Sequence, residues 1–350
     1  MRAAAEPLAT ELYSYELPPE LIAQAPAEPR DGSRLLVLDR ASGSIVHSRF
    51  RDLADWLRAG DLLVLNRSRV VPARVLGRRL ADGGAAELLL LRRRAPGLWE
   101  TLVRPGRRLK PGARISLGDG LIAEVLSYTP GGGRLVVLQG ADDPDAAVLR
   151  AGTVPLPPYI RDWDGDPERY QTVYGDMPGS AAAPTAGLHF TPDLLERLRA
   201  ASVRVAFVTL HVGLDTFRPV RSESLTQHEI HAEECTVAPE TIRAVQAARS
   251  AGGKVVAVGT STVRALETAL AYQGTGQAAS GWSGATSLYI LPGHRFRAVD
   301  VLITNFHVPR STLLALVSAF AGRALVLAAY REAIAHRYRF LSFGDAMLVA

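Results

Sequence analysis

The spacing of hydrophobic and polar positions changes along the chain. Between about Asp61 and Gly140 short apolar or alternating runs recur: Leu62–Leu65, Val70–Leu76, Ala86–Leu91, Trp99–Val103, Arg114–Leu117, Leu121–Leu126 and Arg134–Leu138. Turn formers separate them, including Asp82-Gly83-Gly84, Pro96-Gly97, Lys110-Pro111-Gly112 and Gly131-Gly132-Gly133. Short, closely spaced strands of this kind predict a small antiparallel barrel or sandwich.

From about Thr191 the period lengthens and strands alternate with helices. Thr191 and Pro192 pair as N-cap and first helical residue, with Leu194, Leu195 and Leu198 on one face. A buried strand Val203–Val212 follows, then a helix opened by Pro239 and ended at Gly252-Gly253. The strand Val255–Gly259, a helix from Thr262, the strand Val299–Thr304 and a helix from Ser311 continue the pattern. Such alternation implies a mainly parallel sheet or an α/β barrel. Thr153–Gly187 is rich in Pro, Tyr and Gly without periodicity and reads as a long functional loop region. Leu313–Tyr330 is the most apolar stretch, but Gly322 and Arg323 interrupt it. Two core helices, Ser311–Ala321 and Ala324–His336, are expected there instead of a membrane span. The N-terminal stretch has no apolar core and carries Glu6, Glu11 and Glu16, unlike a secretory signal, so a cytoplasmic protein is expected.

With 350 residues, 47% hydrophobic and 21% charged, the composition is that of a globular chain long enough for two domains. The single cysteine, Cys235, excludes a disulfide framework and an all-cysteine metal site. Charge alters the picture more. Net charge is +5, yet residues 66–114 hold thirteen basic side chains against Asp82, Glu87 and Glu100. Arg69, Arg74, Arg92, Arg93, Arg94, Arg107 and Arg108 belong to this run. A basic small barrel beside a mildly acidic body is the electrostatic footprint of a nucleic-acid-binding protein. A merely solvated arginine-rich surface is the plainer alternative. No zinc finger, G-x-G-x-x-G or Walker phosphate loop occurs, which disfavours a dinucleotide enzyme or an NTPase.

In α/β folds ligands bind at the carboxyl ends of parallel strands. Three polar clusters follow predicted strands: His211, Gly213, Thr216, Phe217 and Arg218; Gly259-Thr260-Ser261-Thr262 with Arg264; and Asn305-Phe306-His307. Together they define a candidate pocket. Glycine followed by hydroxyl residues at a helix start leaves backbone N–H groups for a carboxylate or phosphate, although a plain cap has the same spacing. His189 and His211 are candidate acid–base residues, with hydrogen-bonded packing as the alternative. The run His228, His231, Glu233, Cys235 invites a metal reading but lacks a second ligand cluster, so no metal is expected and an acid–base or ribose-binding role for Glu233 is favoured.

These motifs resemble one family, the S-adenosylmethionine:tRNA ribosyltransferase-isomerase of queuosine biosynthesis. The matching stretches are Tyr15–Arg34, Val64–Arg74, Leu156–Tyr174, Ala183–Thr191 (APTAGLHFT), Thr209–Val220, His228–Glu233, Val258–Glu267, Leu302–Gly322 and Tyr338–Leu348, in the family's order over nearly the whole chain. The resemblance implies an α/β-barrel-like body, residues 1–62 and 151–350, with an inserted antiparallel β-barrel domain over 63–150. It implies S-adenosylmethionine as co-substrate with no prosthetic group. The reaction it implies places a ribosyl unit on 7-aminomethyl-7-deazaguanine at the tRNA wobble position, rearranges it to an epoxycyclopentane, and releases adenine and methionine. The implied partners are GUN-anticodon tRNAs (Asp, Asn, His, Tyr), and the implied enzyme is a monomer or weak dimer.

His189, His211 and Glu233 are the candidate catalytic residues. Besides those in the three clusters, Arg30, Asp31, Arg34, Tyr170, Thr185, Gly187, Phe190, His231 and Asp345 are carried as candidate substrate contacts. The chain departs from the family pattern at Arg67 and Ser68, where Asp and Thr are usual, and at Asp215, where Gly is usual. Those changes keep open a diverged enzyme acting on a small nucleoside. A non-catalytic RNA-binding protein is the other alternative.

Overall fold

The computed structural model describes residues 8–129, 132–161, 163–213, 219–272 and 280–350. The chain divides into two units: residues 1–69, 157–177 and 183–350, and residues 70–156 with 178–182.

The smaller unit is a closed six-stranded barrel. Its strands are β5 (Arg74–Arg79), β6 (Ala85–Ala95), β7 (Leu98–Arg104), β8 (Arg114–Gly118), β9 (Leu121–Tyr128) and β10 (Arg134–Gln139), in the order β10-β7-β6-β5-β8-β9. Neighbouring strands within it pair antiparallel. Alternate residues point inward, so Val75, Leu88, Leu90, Ile115, Ala123, Val125 and Val136 fill the interior. Helix α1 (Pro144–Ala151), capped by the Asp143 carboxylate, adds Val148 to that core. Arg134 is buried and donates to the carbonyls of Leu109, Gly132 and Gly106 at 2.8, 2.8 and 3.0 Å.

The larger unit is mixed α/β around a nine-stranded sheet. Its strands are β1 (Arg34–Leu38), β2 (Ile45–Arg49), β3 (Leu62–Asn66), β12 (Arg204–Leu210), β13 (Glu233–Val237), β14 (Val255–Val258), β15 (Trp282–Thr286), β16 (Val301–Asn305) and β17 (Ala346–Val349). The order is β15-β13-β12-β3-β14-β16-β17-β1-β2. Two short strands, β4 (Ser68–Val70) and β11 (Met177–Ser180), lie outside it. The central quartet β12, β3, β14 and β16 is parallel throughout. Strand β3 is a correction to the sequence reading, which grouped Leu62–Leu65 with the barrel strands. Every residue of β3 is buried, as in a central parallel strand covered on both faces. The expected strand Val70–Leu76 is broken, with β4 ending at Val70 and β5 starting at Arg74. Pro72 in the gap has no N–H for a ladder.

The helices are α2 (Pro192–Ala200), α3 (Pro239–Ser250), α4 (Thr260–Ala271), α5 (Thr312–Ala321) and α6 (Arg323–Ala335). As the sequence suggests, the Thr191 hydroxyl caps α2 by accepting from Leu194 N at 3.1 Å. Leu194, Leu195 and Leu198 then join Leu35, Leu63, Val256, Ile303 and Leu348 in the core. Helices α5 and α6 meet at 113° where Gly322 has φ +86°, and among the described residues no single helix is long and apolar enough to cross a membrane.

Candidate active site

A cleft opens at the carboxyl ends of the parallel quartet, entirely within the larger unit. From β12 it takes Leu210 and then Val212; from β14 and its helix, Gly259, Thr260, Ser261 and Arg264; from β16, Thr304, Asn305, Phe306 and His307. Thr185, Glu233, Tyr159 and Ser342 complete its polar lining. Of the residues singled out in the sequence, Thr185, Glu233, Gly259, Thr260, Ser261, Arg264, Asn305 and His307 thus come to one place.

Local geometry explains the anion-seeking side. Gly259 precedes α4 with φ +87° and ψ 150°, a conformation open to glycine and strained for other residues. No side chain caps α4, because its N-cap residue is Gly259; the Thr262 hydroxyl bonds back to the Val258 carbonyl at 2.6 Å. First-turn amides of a helix point beyond its N-terminus and favour an anion there. Arg264, one turn on, donates Nε to Leu288 O at 2.9 Å and Nη1 to Glu233 Oε2. Its Nη2 is buried and has no hydrogen-bond partner among the described residues. The other carboxylate oxygen of Glu233 accepts from Gly213 N at 2.7 Å. Asn66 joins the strand ends, donating to Leu210 O at 2.9 Å and Ser261 Oγ at 3.1 Å while accepting from Leu210 N.

The opposite wall is a chain of neutral donors and acceptors. The Thr185 hydroxyl donates to Asn305 Oδ1 at 2.9 Å, and Asn305 Nδ2 donates to Leu341 O and His189 Nε2 at 3.2 and 3.3 Å. His189 Nδ1 lies 2.8 Å from Ser33 Oγ, so this network assigns the proton to Nδ1. The ring stacks on Phe50 with centroids 4.8 Å apart. Burial is the main cause that pushes the His189 pKa down to about 4, and burial pushes His307 to about 3. Both are neutral imidazoles at pH 7. His307 Nε2 sits 2.9 Å from Thr304 Oγ1. The hydroxyls of Tyr159 and Ser342 are 2.7 Å apart, and burial pushes the tyrosine pKa above its ordinary value, keeping it protonated.

Other candidates lie elsewhere. His189 stands behind Asn305 and does not line the cleft. His211 follows Leu210 and precedes Val212, and the alternation that aims those two into the cleft leaves His211 outside its lining. Burial lowers its pKa, with Glu234 opposing. Phe190 is fully buried, edge-on to Phe50 in the core, rather than stacking in the cleft. Tyr170 is likewise buried, edge-on to Phe343. Gly187 is a packing glycine, since a Cβ there would meet the Tyr174 hydroxyl at 2.0 Å.

Arg30 donates to the carbonyls of Gln171, Leu188 and Glu168. Asp31 faces Arg197 at 3.9 Å. Arg34 pairs with buried Asp345 through Nε at 3.2 Å and its backbone N–H at 2.9 Å. These pairs tie segments together outside the cleft lining. His231 is exposed, and the run from His228 to Cys235 does not converge on a metal centre. Arg67 lies on Asp176 rather than in the cleft. Thr216, Phe217, Arg218 and Asp215 fall outside the described residues. Asn66, Tyr159 and Ser342 are functional candidates that sequence reasoning misses. Asn66 directly follows a predicted strand, which is a usable signal, whereas Tyr159 and Ser342 meet across 183 residues with no local pattern.

The barrel arginines singled out in the sequence, Arg74, Arg92, Arg93, Arg94, Arg107 and Arg108, are exposed or half-exposed and partly paired. Arg74 meets Glu87 at 3.0 Å, Arg93 meets Asp145 at 2.6 Å, Arg94 meets Glu100, and Arg108 meets Asp82 at 3.4 Å. Arg107 is exposed, and Arg69 in the larger unit pairs with Glu168. Over residues 70–156 thirteen basic side chains face eight acidic ones, so the excess is smaller than the 66–114 window suggests.

A parallel quartet with a polar cleft at its carboxyl ends, in a chain that also carries a small closed barrel, defines an α/β enzyme with an added β domain. The chain belongs to the family described as queuosine biosynthesis protein, whose pattern matches residues 10–349. It is similar to the S-adenosylmethionine:tRNA ribosyltransferase-isomerases of Symbiobacterium thermophilum, 55% identical over 96% of this chain and 98% of that one, and of Moorella thermoacetica, 54% identical over 97% and 99%. The crystal structure of S-adenosylmethionine tRNA ribosyltransferase from Thermotoga maritima is also similar, with 40% identity, a TM-score of 0.57, and coverage of 97% of this chain and all of that one.

Proposed function

We propose that this chain transfers the ribosyl moiety of S-adenosylmethionine to 7-aminomethyl-7-deazaguanine at the wobble position of tRNA and isomerises it, giving epoxyqueuosine-tRNA, adenine and methionine. The observation that carries the reading is the unpartnered Nη2 of buried Arg264 beside the uncapped start of α4, in a chain related over its full length to enzymes of that name. A guanidinium donor and first-turn amides suit the carboxylate of an amino-acid-bearing co-substrate. Glu233, held by Arg264 and Gly213, presents a fixed carboxylate to ribose hydroxyls.

The sulfonium acidifies the C5′ protons, and the first step removes one while adenine departs. The neutral imidazoles add no positive charge beside a sulfonium. His307 faces the cleft, and His189 positions Asn305, which lines it. Tyr159 and Ser342 supply hydroxyl donors to the acceptor base. Basic residues of the barrel take tRNA phosphates. The partners are tRNAs with GUN anticodons, the enzyme is cytoplasmic, and it works as a monomer or weak dimer.

The test is incubation with S-adenosylmethionine deuterated at C5′ and precursor-containing tRNA, followed by mass spectrometry. Adenine and methionine should form in step with modified tRNA, and label should pass to solvent. S-adenosylhomocysteine formed in proportion to modified tRNA would overturn the reading.

A further inference from the structure

We infer that His47, Glu332 and His336 form a divalent transition-metal site, with zinc as the natural fit, on the face where β2 meets the end of α6. The sequence reading expects no metal, but the fold brings three ligand-type side chains together from opposite ends of the chain. Glu332 and His336 are one helical turn apart, at the end of α6, so their side chains share a face. His47 reaches them from the edge strand β2. Its Nε2 is 3.4 Å from Glu332 Oε1, and His336 Nδ1 is 3.1 Å from the same oxygen.

That spacing is informative. Ligands about 2.0–2.1 Å from a tetrahedral zinc stand about 3.3–3.4 Å from one another. Two edges of the tetrahedron are therefore already present. The donor atoms of all three residues lie within 4.8 Å, and the two imidazole rings are 4.4 Å apart by centroid. The third edge closes when the exposed His336 ring turns its Nδ1 away from the Glu332 carbonyl, which now lies 3.1 Å from it. Two imidazoles and one carboxylate, with a fourth position open to water, form a donor set that zinc accepts.

The groups that would orient these ligands are also in place. Tyr338 Oη lies 2.8 Å from His47 Nδ1, which leaves Nε2 as the nitrogen aimed at the centre. Arg34 stacks over the Tyr338 ring at 4.2 Å and helps to fix that ring. Glu332 is half-buried while both histidines are exposed, so the site is accessible to an ion from solvent. No residue of the set lines the cleft, and the proposal stands whether or not the reaction above is right.

Zinc titration of the untagged, metal-stripped protein against a chromophoric zinc indicator tests the site, with folding followed by circular dichroism. The wild type should take up one equivalent per chain. His47→Ala and His336→Ala should each abolish that uptake, and Tyr338→Phe should weaken it about ten- to hundred-fold. His228→Ala should leave it unchanged. Zinc should also raise the melting temperature of the wild type but not of His336→Ala, since bridging α6 to β2 stabilises only the folded chain. Absence of stoichiometric uptake by the wild type, or uptake undiminished in both folded alanine variants, would overturn the assignment.

Discussion

Arg264 shows how much one side chain settles. Two of its nitrogens are committed, to Glu233 and to the Leu288 carbonyl, and the third is left buried for a ligand. Lysine keeps the charge but not the fork. Arg264→Lys should therefore raise KM for S-adenosylmethionine about ten- to hundred-fold, the equivalent of one charge-assisted hydrogen bond of about 1.5–3 kcal/mol. Steady-state kinetics measures it, and an unchanged KM would remove the residue from the substrate site. The buried histidines make a second prediction. In the unfolded chain an imidazole binds its proton near 6.5, but in the native protein His189 does so only near 4 and His307 near 3. Between these values the unfolded state holds more protons, so stability falls as pH drops from about 6.5 toward 4. Melting temperatures at pH 7.5 and 5.5 should differ less in His307→Gln than in the wild type. At this scale the sequence is readable wherever a polar residue follows a strand directly. It misleads where one residue of displacement reverses the face, as at His211 beside Leu210 and Val212.

Among elements, α4 is the most instructive. Its sequence reads as a hydroxyl-capped helix, yet the turn is made by the backbone of Gly259 and the hydroxyl of Thr262 points back to the end of β14. A Cβ on Gly259 would meet only ordinary neighbours, Ser261 Oγ at 3.6 Å and Ala186 Cβ at 3.7 Å. The cost of Gly259→Ala is therefore conformational, about 1–3 kcal/mol. Chemical denaturation should show that loss, and a variant as stable as the wild type would mean that the turn relaxes freely. Strands tell a related story. Those of the barrel betray themselves by alternation, as in β6, whose first residues run exposed, buried, half-buried, buried. Strand β3 is buried at all five positions, the signature of a covered central strand. Proximity to the barrel strands hides that difference in the sequence, although the unbroken Leu-Leu-Val-Leu run carries it.

For the molecule as a whole, charge and chemistry fall in different units. Every cleft residue belongs to the larger one, while Arg92, Arg93 and Arg94 belong to the barrel. The ion pairs of Arg93 and Arg94 lie at the surface, where such pairs contribute about 0–1 kcal/mol. Reversing all three to glutamate should leave folding and S-adenosylmethionine binding nearly intact. It should weaken tRNA binding and lower the slope of log affinity against log salt by about 0.7–0.9 for each phosphate that is no longer neutralised. Calorimetry at two salt concentrations measures both ligands, and abolished co-substrate binding with intact tRNA affinity would refute the division. The two-part layout is legible because strand length and helix alternation differ so plainly. The extent of each part is not, since β3 and the segment 157–177 rejoin the larger sheet or its unit through neighbours distant in sequence.

The position of β17 bears on how this molecule is made. Ala346–Val349 lies between β16, which it meets antiparallel, and β1, which it meets parallel. On a translating ribosome β1 and β16 both emerge before that strand, so they wait with unpaired inner edges. Open strand edges are templates for pairing with other chains. A nascent chain stalled before Ala346 should accordingly aggregate or be held by chaperones while its barrel is already closed. Deleting residues 346–350 should give the same result in expression: insoluble protein, with barrel-derived fragments surviving limited proteolysis.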